Sequence, residues 1–384
     1  MDTTELDRVS GALQQANSPE AIFGLLSGTR QERFAAARNI FRHLAKVVHP
    51  DAFQGTSDYE RADVAFKKLV QLWEQAQVSI ASETYGSASA TSAEGVPFLV
   101  RTKTRSYSLE RLLFRGDLCG LYGCSTLNAG EQTRGIAKVS IAPADNDLVS
   151  NEARILTHLK SSEGYATWRH FVPQLLDAFA YQEKDTGATR QINVLAYPAG
   201  LYSLTEVRQA YPQGLDPRDM AWIWRRLLVA LGFAHASRVI HGCVLPTHIL
   251  IHPEQHGVVL IDWSYALLDP GRTGERISAI SSAYRDWYPA EIFAREEPTP
   301  ALDVFMAARC MLDLLGGDPQ KHTLPESVPW QLHSFFKGCL LSPAQRRPQD
   351  THVLLEEFDS LIERLWGPRK FRAFRMPQPE YRPS

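Results

Sequence analysis

The chain has 384 residues, enough for one large domain plus a small one. Its 44% hydrophobic and 22% charged residues are the composition of a globular protein, and a net charge of -2 argues against a whole-protein role on nucleic acid or an anionic membrane. Five cysteines, at 119, 124, 243, 310 and 339, are an odd number without a C-x-x-C pair; they do not read as a disulfide framework or zinc site, and a reducing cytoplasm fits.

The acidic start, Met-Asp-Thr-Thr-Glu-Leu-Asp, lacks the apolar stretch of a signal peptide. The longest apolar stretch, 227–236, is too short to span a bilayer, so no membrane partner is expected. Residues 19–77 read as helical. Phe34, Ala37, Phe41, Leu44 and Val48 step by 3 and 4, as one face of a helix does. Ala62, Phe66, Leu69, Trp73 and Ala76 repeat the pattern on a second helix. The polar loop His49–Asp58, with Pro50 and Gly55, joins the two into a helical hairpin, and 21–26 forms a short helix before it.

Residues 78–98 are dominated by small polar residues without periodicity and read as a flexible linker. Beyond it the texture changes. Strands and turns are expected over 107–140, a helix over 151–159 and a stronger helix over 217–236. Short β pieces follow at 249–251 and 258–261, then helices from 301 to 365. Strands first and helices later predict an α+β fold with two unequal lobes. Residues 367–384 carry Arg369, Lys370, Arg372, Arg375 and Arg382 among prolines and read as an exposed basic tail.

Within the hairpin, Arg38, Arg42 and Lys46 recur every fourth residue and form a basic stripe opposite the apolar face. His49-Pro50-Asp51 follows directly, and Phe66-Lys67-Lys68-Leu69 lies on the second helix. Helix, basic stripe, His-Pro-Asp, loop and helix together resemble a J domain of the DnaJ family over residues 18–77. The resemblance implies an all-α hairpin that docks on a DnaK-class ATPase chaperone through Arg38, Arg42, Lys46, His49, Pro50 and Asp51, and stimulates its ATP hydrolysis. The loop Ala52-Phe53-Gln54-Gly55 departs from that family, since it lacks the Lys commonly found after the motif.

The second region, 99–366, resembles a protein kinase through an ordered set of landmarks. Ile136-Ala137-Lys138 resembles the V-A-I-K strand, and Glu152 suits the helix glutamate that pairs with its lysine. Leu195-Ala196-Tyr197-Pro198 resembles a hinge, Asp262 stands at the D-F-G aspartate, and Pro289-Ala290-Glu291 resembles A-P-E. Asp303 suits the aspartate that anchors the catalytic loop, and Arg347 suits the arginine that pairs with the A-P-E glutamate. The resemblance implies a bilobal fold, with ATP and Mg²⁺ as its ligands. Gly116, Lys138, Glu152, Tyr197 and Asp262 would then form the nucleotide site, with Asp262 on the metal.

The same loop is degenerate. In His241-Gly242-Cys243-Val244-Leu245-Pro246-Thr247-His248, Cys243 stands where the family has its proton-accepting Asp, and His248 where it has its metal-binding Asn. Leu245 replaces the usual Lys, and Trp263-Ser264 replaces Phe-Gly. Gly116 is the only glycine that matches the phosphate loop. Phosphoryl transfer depends on positioned charge, so these losses remove several terms together and no residue is assigned a catalytic role.

The sequence therefore leans away from an enzyme and toward a cytoplasmic co-chaperone-like adaptor: a J domain tethered to a pseudokinase that holds a partner protein of unknown identity. Two readings stay open beside it. One is an atypical ATP-dependent phosphotransferase or nucleotidyltransferase with a rearranged site, and the other is a scaffold that binds no nucleotide.

Overall fold

The computed structural model describes residues 3–16, 18–24, 26, 30–81, 85, 98–102, 105–126, 133–182, 187, 189–196 and 199–377. They divide into two compact units, 1–147 with 179–192, and 148–178 with 193–384.

The first unit begins with helices α1 (Thr3–Gln15), α2 (Glu20–Phe23), α3 (Arg30–Val48) and α4 (Tyr59–Ala81). The apolar stripes on α3 and α4 create its core. Ala37, Val48, Ala62, Leu69 and Ala76 are fully buried, and Phe34, Phe41, Leu44, Phe66 and Trp73 pack on them. Trp73 stacks on Phe41 with ring centroids 5.1 Å apart and meets Phe34 at 5.4 Å, which locks the two helices side by side. Helix α1 closes the bundle through Leu6 and Leu13, each with no exposed surface.

Two sequence expectations shift here. The short helix expected over 21–26 ends at Phe23, because Gly24 turns to φ 70°, a left-handed conformation that glycine adopts at little cost. The linker expected from residue 78 does not start there. Helix α4 runs to Ala81 with Ile80 buried, and Tyr85 is buried with its hydroxyl donating to the Gly24 carbonyl at 2.9 Å. Ile80 and Tyr85 supply enough apolar surface to stay packed. Most of the remaining linker expectation, 82–97, lies outside the described residues.

The same unit holds a sheet of strand order β1-β2-β3-β4-β6-β5. Its strands are β1 (Phe98–Arg101), β2 (Ser106–Arg115), β3 (Cys119–Thr126), β4 (Arg134–Ser140), β5 (Leu175–Gln182) and β6 (Thr189–Ala196). The first four pair antiparallel in sequence order. Residues 175–178 of β5 and 193–196 of β6 group with the second unit.

The second unit is mainly helical. Its long elements are α5 (Asn146–Ser161, from residue 148 on), α6 (Leu204–Ala210), α7 (Pro217–Ala236), α8 (Pro300–Leu314), α9 (Trp330–Cys339) and α10 (Thr351–Trp366). Helix α7 starts where its sequence says it should. Asp216 caps it by accepting from the Arg218 amide at 2.8 Å, and Pro217 occupies the first turn, where no amide donor is needed. Helix α8 is buried nearly all round, including Asp303 and Arg309, which makes it the central post of the unit. A three-stranded sheet, β7 (Tyr202–Ser203), β9 (Ile249–His252) and β10 (Gly257–Leu260), has the order β10-β9-β7, and β8 (Val239–Ile240) pairs with β11 (Leu267–Leu268).

The C-terminal tail is a further correction. Part of it docks on the second unit through Arg372 and Phe374, while Arg369, Lys370 and Arg375 are exposed as expected. Phe374 is only 4% exposed and meets the Tyr211 and Trp222 rings, and the Tyr211 hydroxyl donates to the Arg375 carbonyl at 2.6 Å. Arg372 reaches Asp219 at 2.9 Å and Asp216 at 3.4 Å, carboxylates at the start of α7. Phe374 decides the difference, because burying its ring against Tyr211 and Trp222 offsets the cost of ordering this stretch, whereas Phe371 stays 71% exposed.

Candidate functional site

The hairpin presents its motif to solvent. Pro50 opens a one-turn 3-10 helix, Pro50–Phe53, and His49 caps it in the extended conformation that a following proline favours. The His49 Nδ1 accepts from the Asp51 amide at 3.4 Å and lies 3.6 Å from the Asp51 carboxylate. The His49 ring rests edge-on against Phe66 of α4, at 4.9 Å. The Asp51 side chain is 83% exposed and that of His49 is 45% exposed. Arg38, Arg42 and Lys46 are all exposed on α3. Beside them Arg30, Phe34, Arg38 and Arg42 line an open depression of ≈ 500 Å³. The loop's Phe53 is turned inward at 5% exposure and anchors the turn to the helical core.

The catalytic-like loop does the opposite. His241, Cys243, Val244 and Leu245 have no exposed surface. Asp303 of α8 pins the loop by accepting from the His241 and Gly242 amides, each at 2.8 Å, and from His235 Nε2 at 2.9 Å. His241 Nδ1 accepts from the Cys243 amide at 3.2 Å and Nε2 donates to the Ile261 carbonyl at 3.0 Å, which fixes a neutral tautomer. Burial pushes the pKa of His241 down to about 4, against the opposing pull of Asp303. Gly242, at φ 71°, needs its glycine: a β-carbon there would lie 3.0 Å from Ile277 and 3.2 Å from the Tyr265 carbonyl.

Cys243 shares a hydrogen bond with the Tyr288 hydroxyl at 3.0 Å, and Tyr288 also accepts from the Ser281 amide at 3.3 Å. Burial first, and the neighbouring Cys243 second, hold the Tyr288 phenol well above its ordinary range. The position of the proton acceptor is thus filled by a buried thiol bound to a neutral phenol, which offers a substrate hydroxyl no base.

Glu152 sits on α5 at 1% exposure. One carboxylate oxygen accepts from the Trp263 amide at 3.2 Å, and the other from Asn193 Nδ2 at 3.1 Å. Asn193 escaped the sequence reading; its only signal was an amide inside the apolar strand Ile192-Asn193-Val194. Asp262 is adjacent to Trp263 and adopts φ 62°, ψ 68°, a left-handed conformation costly for a residue with a β-carbon. Its carboxylate lies 3.2 Å from His248 Nε2. The structure thus brings Glu152, Asp262 and His248 into the second unit around the loop.

Lys138 belongs to the first unit, on β4 at 6% exposure. Gly116 closes the β2–β3 turn, its amide donating to the Cys119 carbonyl at 2.8 Å. That turn folds Leu118 and Cys119 inward, where a phosphate-covering loop would present glycines. Tyr197 and Pro198 of the expected hinge lie outside the described residues.

A kinase-type fold implies Mg²⁺ beside ATP. Mg²⁺ takes hard oxygen ligands in near-octahedral geometry. Asp262 supplies an oxygen, but the loop position that should supply a second presents an imidazole nitrogen, so the donor set does not fit Mg²⁺. The A-P-E counterpart is intact as architecture: Arg347 forms a two-pronged ion pair with Glu291, with side chains 1% and 9% exposed. All five cysteines are buried. Among the described residues no helix is long and apolar enough to cross a membrane.

Comparison with known proteins agrees with this architecture. No family model matches the chain. The chain is similar to the BubR1 kinase domain in its crystal structure, with a TM-score of 0.53 at 14% identity, covering 71% of this chain and 84% of that one. In sequence it is similar to serine/threonine-protein kinase CST20 of two Candida albicans strains, at 23% identity over 155 residues. That match takes in 35% of this chain and only 12% of the length of the Candida protein. The fold of the second region is therefore protein-kinase-like.

Proposed function

We propose that this protein is a co-chaperone-like adaptor. Its helical hairpin acts as a J domain that recruits a DnaK-class chaperone and stimulates its ATPase. Its kinase-like region acts as a catalytically impaired module that holds a client or partner protein.

The observation that carries this reading is the exposed His49-Pro50-Asp51 turn at the end of the exposed Arg38, Arg42 and Lys46 stripe. A rigid turn with outward polar groups suits a short, specific contact set, and the adjoining cations suit a fast encounter with an acidic surface. Impairment of the kinase-like region is supported by the buried Cys243 and Leu245.

The test is capture of a purified DnaK-class chaperone by the full chain at low and physiological salt. Capture should weaken with salt and fall at least ten-fold in Arg38→Glu with Arg42→Glu. Capture indifferent to both changes would remove the J-domain reading.

A further inference from the structure

We propose that Tyr211, Asp216, Asp219, Trp222 and His256 form a docking site for a short extended peptide of a partner protein, one that carries an arginine and, two residues later, an aromatic ring. The chain's own residues 371–375 fill that site in cis. The proposal rests on the reading of the kinase-like region as a partner-holding module, and is independent of chaperone docking by the hairpin.

The way the tail is held carries the inference. Residues 368–377 form neither helix nor strand, so side chains do the holding. Arg372 and Phe374 turn inward while Ala373 and Arg375 are exposed, the two-residue period of an extended peptide. Arg372 makes a two-pronged ion pair with Asp219, at 2.9 and 3.1 Å, and reaches Asp216 at 3.4 Å. The Phe374 ring meets that of Tyr211 at 5.7 Å and that of Trp222 at 6.0 Å. One residue on, the Arg375 carbonyl accepts from the Tyr211 hydroxyl. Phe371 stacks on His256 at 4.5 Å, and His256 stacks in turn on Trp222 at 4.2 Å. Subsites for alternate side chains, with a donor for the backbone, are how folded surfaces read an extended peptide.

The tail is also built to leave. Helix α10 ends at Trp366, and Gly367, at φ 76°, turns the chain out of it. Arg369, Lys370 and Phe371 are exposed, and Phe374 is the one buried side chain among residues 368–377 that the structure describes. Release gives up one buried ring, one ion pair and one hydrogen bond, which places the tail at the low-stability end of the fold. It uncovers two carboxylates three residues apart at the start of α7, beside the Tyr211 and Trp222 rings. An acidic pair next to an aromatic wall complements an arginine followed by an aromatic ring. A short tether holds the tail at an effective concentration of about 1 mM, so the tail acts as a competitor that a partner peptide must displace.

The experiment follows a fluorescent synthetic peptide of residues 368–377 by anisotropy as full-length protein is added. The protein is wild type or carries Arg372→Ala with Phe374→Ala, which frees the tail; Arg372→Glu alone is the second variant should the first misfold. The freed variant should bind the peptide about ten-fold more tightly than wild type, where the tail competes. Adding Asp219→Asn to the freed variant, or Phe374→Ala to the peptide, should each weaken binding about ten-fold, and the second keeps every charge of the peptide. No saturable binding to the freed variant, equal binding to wild type, or indifference to both added changes would overturn the proposal. Sedimentation of wild type as a dimer that the freed variant loses would assign the site to a second copy of this chain and overturn the partner reading. Chaperone capture is read separately, so failure here leaves the J-domain reading standing.

Discussion

Two histidine-led motifs in this chain face opposite ways. His49-Pro50-Asp51 directs its polar groups to solvent from a turn anchored by Phe53, and costs the core nothing. His241-Gly242-Cys243 directs its groups inward, where they brace the loop on Asp303 of α8, on Tyr288, on the Ile261 carbonyl and on itself. The lesson is that a motif's residue types matter less than where its donors and acceptors are spent. Groups already satisfied inside the fold are architecture, and groups left to solvent are available to a partner.

The sharpest ways to break that contrast act on the architecture. Arg347→Ala leaves Glu291 buried without its partner and should cost about 4 kcal/mol of stability, read by urea denaturation. A loss below about 1 kcal/mol would mean the pair is not structural. Restoring the family's acid with Cys243→Asp puts a carboxylate where no surface is exposed. It should destabilise by about 3 kcal/mol and yield no phosphoryl transfer. A stable, active variant would show that only the acid was missing.

Stability should also depend on pH through His241. Its folded pKa of about 4 lies below its ordinary 6.5, so between these values the unfolded chain binds the extra proton. The contribution is intact above about 6.5 and is lost as pH falls toward 4, at up to about 1.4 kcal/mol per pH unit. Thermal melts from pH 7.5 to 4.5 should show this slope, flattened in His241→Asn. A smaller effect is expected at the tail. Phe374→Ala should cost about 1–2 kcal/mol, because the strap undocks locally instead of unfolding the unit, and trypsin should then cut at Arg372 and Arg375 first.

How much of this was legible in the sequence follows from the same contrast. The helical hairpin showed through its 3-4 periodicity, and α7 matched its expected span of 217–236 because Asp216-Pro217 marks a helix start unambiguously. The landmarks Glu152, Glu291, Asp303 and Arg347 could be placed by order and spacing. Residues joined only by tertiary contact were not visible. Asn193 holds Glu152 from 41 positions away, Tyr288 meets Cys243 from 45 away, and Tyr85 reaches Gly24 across 61. The docked tail was misread because charge counts its arginines and overlooks that Phe374 and Arg372 find a ready surface on α7.

The measurement that tests the central claim most directly is single-turnover ATP hydrolysis by a DnaK-class chaperone with the full chain and with Asp51→Asn. Since Asp51 is exposed, the substitution should leave helicity and melting temperature within about 0.5 kcal/mol of wild type. The account predicts acceleration by the wild-type chain and none by the variant. Equal acceleration by both, or none by either, would contradict it.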